Sequence, residues 1–361
     1  MFETANENLA ERIILVGTAL GKMTREEAEY SLDELARLID TAGGIEVGRF
    51  LQKRNRPDGA FFVGKGIVEE LAAKIEETEA DLVVFDHLLS PNQQRNLGKK
   101  LEVKVIDRAM LILDIFALHA RSAESHLQVE LAQMEYLLPR LTGLWVHLSR
   151  QRGGIGTKGP GETQLETDRR QIGKKISTLK KRLKKIEKQR RTQRQGRSEY
   201  RKLALVGYTN AGKSTLFNQL TQAKVTQADQ LFSTLDSTTR IMATEYPQKV
   251  ALTDTVGFIE RLPHQLVASF KSTLEEVTLA DLILLVVDCS DPYKDRKIEV
   301  VTSVLDSIKA GQIPRLLIYN KVDLLEAESE APIPTNGIIP ISALKKVGLN
   351  RLKAEIIARF G

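Results

Sequence analysis

Gly207-Tyr208-Thr209-Asn210-Ala211-Gly212-Lys213-Ser214 has the spacing G-x-x-x-x-G-K-S. It stands between an apolar run, Leu203–Val206, and a helix predicted to begin near Ser214. In that context the glycines let backbone N–H groups wrap phosphate oxygens, and the helix N-terminus adds positive potential. Lys213 then neutralises β- and γ-phosphates, while Ser214, followed by Thr215, is placed to hold Mg²⁺. Strand, loop and helix in this order predict a doubly wound, mostly parallel α/β sheet over residues 201–361.

Four more apolar runs extend the pattern: Val250–Thr253, Leu282–Asp288, Arg315–Tyr319 and Gly337–Ile341. Asp254-Thr255-Val256-Gly257 ends the first of them as D-x-x-G, the sequence that senses a γ-phosphate through water, Mg²⁺ and a backbone N–H. Asn320-Lys321-Val322-Asp323 ends the third run. The Asp323 carboxylate can accept from N1–H and the 2-amino group of guanine, whereas adenine would leave it unpaired. Ser342-Ala343-Leu344 is placed to support the base. Phe232-Ser233-Thr234-Leu235-Asp236 occupies the interval where the first switch belongs, with Thr234 as the second Mg²⁺ ligand and Thr238 and Thr239 as its rivals on spacing. These motifs imply a GTP hydrolase in which Lys213, Thr234 and Gly257 carry the chemistry. Phe258 stands where many such enzymes carry a water-orienting glutamine, and a phenyl ring cannot take that role. Unaided hydrolysis is therefore expected to be slow, or supported by other groups. Asn210 is either such a support, as a potassium ligand, or a turn-forming residue.

Upstream, the chain reads as two further parts. Residues 1–118 alternate strand-like runs (Arg12–Gly17, Ile45–Leu51, Asp81–Phe85, Val103–Ile106) with helical patterns, which predicts a small parallel sheet covered by helices. Thr24-Arg25-Glu26-Glu27 is a capping-box sequence, and Gly43-Gly44 sits where that helix should stop. Gly64-Lys65-Gly66 is expected to be a loop before a helix at Val68. Residues 119–200 read as two helices in a long antiparallel hairpin. Leu127, Leu131, Met134, Leu138, Leu141, Trp145 and Leu148 form one apolar seam, which Pro139 should kink or split. Leu165, Ile172, Ile176, Leu179, Leu183 and Ile186 form the other. The segment 152–161 between them holds five glycines and a proline, too flexible for a mere helix connection.

Charge is unevenly placed. The net charge is +6, yet sixteen Lys or Arg against Glu187 and Glu199 lie between Arg169 and Lys202. That density points to a polyanionic partner, and with aromatic residues at 5% base stacking is not its main mode of contact. No stretch approaches the roughly 20 apolar residues needed to span a bilayer. The start, polar and acidic, lacks a basic signal-peptide region. With one cysteine, Cys289, an internal disulfide framework is excluded, and a buried strand-end thiol is expected. A cytoplasmic location is expected.

Taken together, these residues resemble the HflX family of GTPases. The most specific runs are Gly153-Gly154-Ile155-Gly156 leading into Gly159-Pro160-Gly161-Glu162-Thr163-Gln164-Leu165-Glu166-Thr167-Asp168-Arg169-Arg170, and Asp254-Thr255-Val256-Gly257-Phe258-Ile259 followed by Leu262-Pro263-His264. The resemblance implies an α/β N-terminal domain, a helical hairpin and a GTP-binding domain. It also implies binding of the large ribosomal subunit and separation of stalled or idle ribosomes in the GTP state. Gly153, Gly154, Lys158 and Gly159 of the tip, with Arg169, Arg170, Lys174 and Lys175, would then meet ribosomal RNA. The expected partners are GTP or GDP and the large subunit, with the chain acting as a monomer. Many relatives continue into a further C-terminal domain, whereas this sequence stops at Gly361, so contacts of that domain are not implied. Two rivals remain: a GTP-dependent RNA-processing or RNA-modification factor, and a GTP-gated binding module with little turnover.

Overall fold

The computed structural model describes residues 10–141, 160–194, 200–221, 231–232, 235–243, 249–261, 271–325 and 337–360. The chain divides into two compact units, Met1–Leu118 with Val129–Lys180, and His119–Gln128 with Lys181–Gly361. The stretch 119–200 is thus shared between them.

The first unit is built on a parallel sheet in the order β2-β1-β3-β4: β1 (Arg12–Leu20), β2 (Ile45–Arg54), β3 (Leu82–Phe85) and β4 (Lys104–Asp107). Ile13–Val16 and Leu82–Phe85 are buried at every position, because helices must cover both faces of such a sheet. Helix α1 (Arg25–Thr41) starts as expected: Thr24 Oγ1 accepts from Glu27 N–H at 3.1 Å, and the Glu27 carboxylate accepts from Thr24 N–H at 2.7 Å. It stops before Gly43, whose φ of +83° makes the turn. Helix α2 (Lys65–Thr78) corrects one expectation, since Gly64 is its N-cap and Lys65 and Gly66 lie in its first turn. Helices α3 (Pro91–Leu101) and α4 (Arg108–His119) complete the cover. Arg108, 1% exposed, pairs with Glu34 and with Asp86 Oδ1 at 2.6 Å and donates to Ser31 Oγ at 3.2 Å, so its buried charge is compensated.

Helix α5 (Ala123–Leu137) gives way to a 3₁₀ turn over Leu138–Arg140, where Pro139 was expected to interrupt it. Its buried stripe includes Ser125, Val129, Ala132 and Tyr136, while Leu127 and Met134 of the leucine seam are only half-buried. Helix α6 (Pro160–Arg194) runs unbroken for 35 residues. Its seam of Ile172, Ile176, Leu179, Leu183 and Ile186 is turned inward, and Leu179 is 3% exposed. Lys175–Glu130 and Lys180–Glu135, both at 2.7 Å, tie α6 to α5. Trp145, Leu148 and residues 152–159 of the glycine-rich tip lie outside the described residues.

The second unit carries a six-stranded sheet in the order β10-β9-β8-β5-β7-β6. Its strands are β5 (Arg201–Gly207), β6 (Thr238–Ile241), β7 (Val250–Asp254), β8 (Leu282–Asp288), β9 (Arg315–Asn320) and β10 (Ile338–Pro340). All pair in parallel except β6, which runs antiparallel to β7. Leu203, Leu205, Leu284, Val286, Leu316 and Ile318 form a core with Leu216, Phe217 and Leu220 of helix α7 (Lys213–Thr221). Helices α8 (Lys271–Thr278), α9 (Lys294–Ser307) and α10 (Leu349–Phe360) follow. The chain leaves β5 to β7 on one side and to β8 on the other, so a crevice opens beyond the carboxyl end of β5, where such folds bind ligands. The molecule is therefore α/β, as the sequence predicts, with a doubly wound second sheet.

Candidate functional site

Five strand ends meet at that crevice. β5 delivers the loop Tyr208–Gly212, β7 ends on Asp254, β8 on Asp288 and β9 on Asn320, and β10 leads to Ser342. Gly212 sits at φ +88°, and a Cβ there would lie 2.2 Å from Asn320 Nδ2, so only glycine fits. Asn210 is exposed with φ +58°, a left-handed turn that asparagine tolerates better than most residues. The geometry thus accounts for an asparagine here by its backbone.

Lys213 is 6% exposed, and its Nζ donates to Gly207 O at 3.1 Å and to Tyr208 O at 2.8 Å. Burial lowers its pKa to about 8, with the Asp254 carboxylate acting against that fall. Ser214 Oγ donates to Asp254 Oδ2 at 2.9 Å, and Asp254 is fully buried. A hydroxyl and a carboxylate held together offer the hard oxygen donors that Mg²⁺ prefers when phosphate oxygens and water complete its shell. Among the described residues no group of three or more His, Cys, Asp or Glu could hold a metal by itself. Thr255 Oγ1 donates to Leu205 O at 2.6 Å and fixes the turn after β7, with Val256 buried beside it. A Cβ on Gly257 would lie 2.9 Å from Thr209 Cγ2 and 3.1 Å from Lys213 Nζ, so this glycine lies directly against the phosphate loop.

Asn320, 2% exposed, works as a brace: its Nδ2 donates to Ala211 O at 2.8 Å and its Oδ1 accepts from Ala343 N–H at 2.9 Å. The guanine motif, the phosphate loop and the Ser342-Ala343-Leu344 turn are thereby one rigid assembly. Lys321 takes φ +66° and pairs with Asp288 Oδ2 at 2.7 Å. Ser342 Oγ accepts from Lys345 N–H at 3.0 Å, and Leu344 is exposed. Asp323, in the 3₁₀ turn Val322–Leu324, faces solvent, available to a base.

The first-switch segment is described only in part. Ser233 and Thr234 lie outside the described residues. Phe232 and Leu235 are 3% and 2% exposed, so their side chains pack into the protein. Thr239 Oγ1 lies 2.9 Å from Thr253 Oγ1 within the sheet. Asp236 turns to the start of α5: it accepts from Ser122 Oγ at 2.5 Å and from the N–H groups of Ser122 and Arg121, each at 3.1 Å. Burial works to raise the Asp236 pKa, but these bonds prevail and hold it below the usual carboxylate range. No motif announces this clasp, because its halves are 114 residues apart.

Of the polyanion candidates, Gly153, Gly154, Lys158 and Gly159 fall outside the described residues. Arg169, Arg170 and Lys174 are exposed on α6, whereas Lys175 is paired with Glu130. Cys289 is buried directly after β8, as expected, and burial with the Asp288 charge pushes its thiol up to about 11.

Three family descriptions match successive parts of the chain: "GTP-binding GTPase N-terminal" over residues 29–117, "GTP-binding GTPase Middle Region" over 119–197 and "50S ribosome-binding GTPase" over 202–321. The GTPase HflX of Alkalihalophilus pseudofirmus is 50% identical over 348 residues, which is 96% of this chain and 82% of that protein. The GTPase HflX of Caldanaerobacter subterraneus is 50% identical over 96% of this chain and 80% of its own length. That of Escherichia coli is 49% identical over 84% and 72%. Among solved structures, an SsGBP–GDP complex superposes with a TM-score of 0.52 over 96% of this chain and 98% of that one, at 24% identity, a likeness of fold. With such relatives matched over most of both lengths, and with the phosphate loop, D-x-x-G and guanine motif converging on one crevice, the chain belongs to the HflX family of GTPases and is a GTP hydrolase.

Proposed function

We propose that this GTPase binds the large ribosomal subunit in a nucleotide-dependent way, splits or recycles stalled or idle ribosomes, and is stimulated in hydrolysis by the subunit it binds. The observation that carries the reading is the outer face of α6. Arg170, Lys174, Lys181, Lys185 and Lys188 are all exposed and lie opposite the apolar seam, along about 27 Å of helix. Glu187 lies off this face. A row of exposed cations along a helix suits a phosphate backbone, whose neutralisation releases counterions and makes binding salt-dependent. The family description of residues 202–321 supports a ribosomal partner.

In this reading the backbone N–H groups of the loop Gly207–Thr215 and Lys213 hold the phosphates, Asp323 selects guanine, and Gly257 places its N–H at the γ-phosphate. Ser214, Thr234 and, through water, Asp254 hold Mg²⁺, which when bound neutralises charge on the β- and γ-phosphates. Potassium at Asn210 belongs to the same proposal. Exchanging KCl for NaCl separates a cation ligand from a residue that only makes the turn.

Cosedimentation of the full chain tests the function. With a non-hydrolysable GTP analogue it should travel with purified large subunits and leave them when GDP is supplied. Equal binding in both nucleotide states, or preference for free tRNA, would move the chain to the RNA-processing reading.

A further inference from the structure

The segment after D-x-x-G is laid onto the phosphate loop as a short parallel bridge between Tyr208 and Phe258. Phe258 N–H donates to Gly207 O at 3.1 Å, and Thr209 N–H donates to Phe258 O at 2.7 Å. Phe258 and Ile259 are 3% and 1% exposed. The position that carries a water-orienting glutamine in other GTPases therefore holds an anchor. A third bond extends the bridge, because the Tyr208 hydroxyl accepts from Glu260 N–H at 2.7 Å. The tyrosine is itself held from α9: Lys297 Nζ lies 4.5 Å from its ring centroid and pairs with Asp291, and neighbouring Arg296 pairs with the Glu260 carboxylate at 2.6 Å. Gly257 is enclosed by this arrangement, directly against Thr209 and the Lys213 ammonium.

We propose that Tyr208 is a positioning residue for GTP hydrolysis, its hydroxyl fixing residues 258–260 on the phosphate loop and so fixing Gly257 beside Lys213. With Phe258 unable to orient water, hydrolysis depends on backbone placement, and the hydroxyl bond together with the Lys297 cation sets that placement. The inference rests on the GTPase activity and not on the ribosomal reading. It is therefore tested with the full chain in the absence of ribosomes.

Tyr208→Phe removes the hydroxyl and leaves the ring, its packing and the Lys297 contact. Losing one hydrogen bond should lower kcat about three- to tenfold, with KM for GTP and GDP affinity unchanged and the melting temperature lowered by at most a few degrees. Hydrogen exchange at the amides of 258–260 should accelerate. Lys297→Gln keeps the hydroxyl but loses the cation over the ring, and should lower kcat by about two- to fivefold. An unchanged or raised kcat in Tyr208→Phe overturns the proposal. Unaltered amide exchange does the same, as does a loss shared equally by GDP affinity, which would make Tyr208 a general support of the loop.

Discussion

Asn320 illustrates how a single side chain can join motifs that are far apart in sequence. Its amide bridges Ala211 and Ala343, and both bonds are buried. Asn320→Ala leaves a backbone carbonyl and a backbone N–H without these partners, at a cost of about 1–3 kcal/mol each. Urea unfolding should show that loss, and GDP affinity should fall with it, since the phosphate loop loses its brace. Asp323 acts differently, because it faces solvent. Asp323→Asn should leave stability unchanged but weaken GDP binding by at least about tenfold, from hydrogen bonds to a charged group worth about 1.5–3 kcal/mol. Calorimetric titration distinguishes the two cases. Cys289 provides a pH test. With its thiol raised to about 11, the reactive thiolate is scarce at pH 8, so iodoacetamide should label the folded chain slowly, faster as pH rises toward 11, and readily after denaturation. The motif of Asn320 and Asp323 was read from its distance beyond the phosphate loop and its place at a strand end. Their division of labour was not, because the partners of Asn320 stand 109 and 23 residues away.

Among the elements, one with a strong apolar run is found where the sequence places it: β8 spans Leu282–Asp288 as read. Two elements that escaped have physical reasons. Helix α4 is apolar nearly all round, with Leu111, Ile112, Leu113, Ile115 and Phe116 buried, so it carries no 3.6-residue stripe to read. Strand β6 is a four-residue edge, Thr238–Ile241, without an apolar run, and exists because it pairs with β7. The clasp between Asp236 and the start of α5 also belongs to this scale. Asp236→Asn removes the charge from bonds to Ser122 and Arg121 and introduces an amide that cannot accept at both positions. The variant should be less stable by about 1–2 kcal/mol, with faster hydrogen exchange at the amides of 121 and 122. A fully protected pair of amides in the variant would contradict the clasp.

Across the whole molecule, sequence reading divides the chain at 118 and 200, while contacts assign residues 119–128 and 181–200 to the unit that contains the nucleotide crevice. Periodicity sees helices, but not that Asp236 draws residues 121 and 122 to that unit. The charge asymmetry, by contrast, was legible directly, and α6 turns it into a face. Reversing Arg170, Lys174, Lys181 and Lys185 to Glu should abolish cosedimentation with the large subunit while leaving GTP hydrolysis by the chain alone intact. The measurement closest to the central claim is steady-state GTP hydrolysis by the full chain, alone and with purified large ribosomal subunits. Slow turnover alone is expected, with a stimulation of at least about tenfold by the subunit that is lost in the charge-reversed α6 variant. Turnover that is the same with and without subunits, under conditions where GTP is bound, would contradict it.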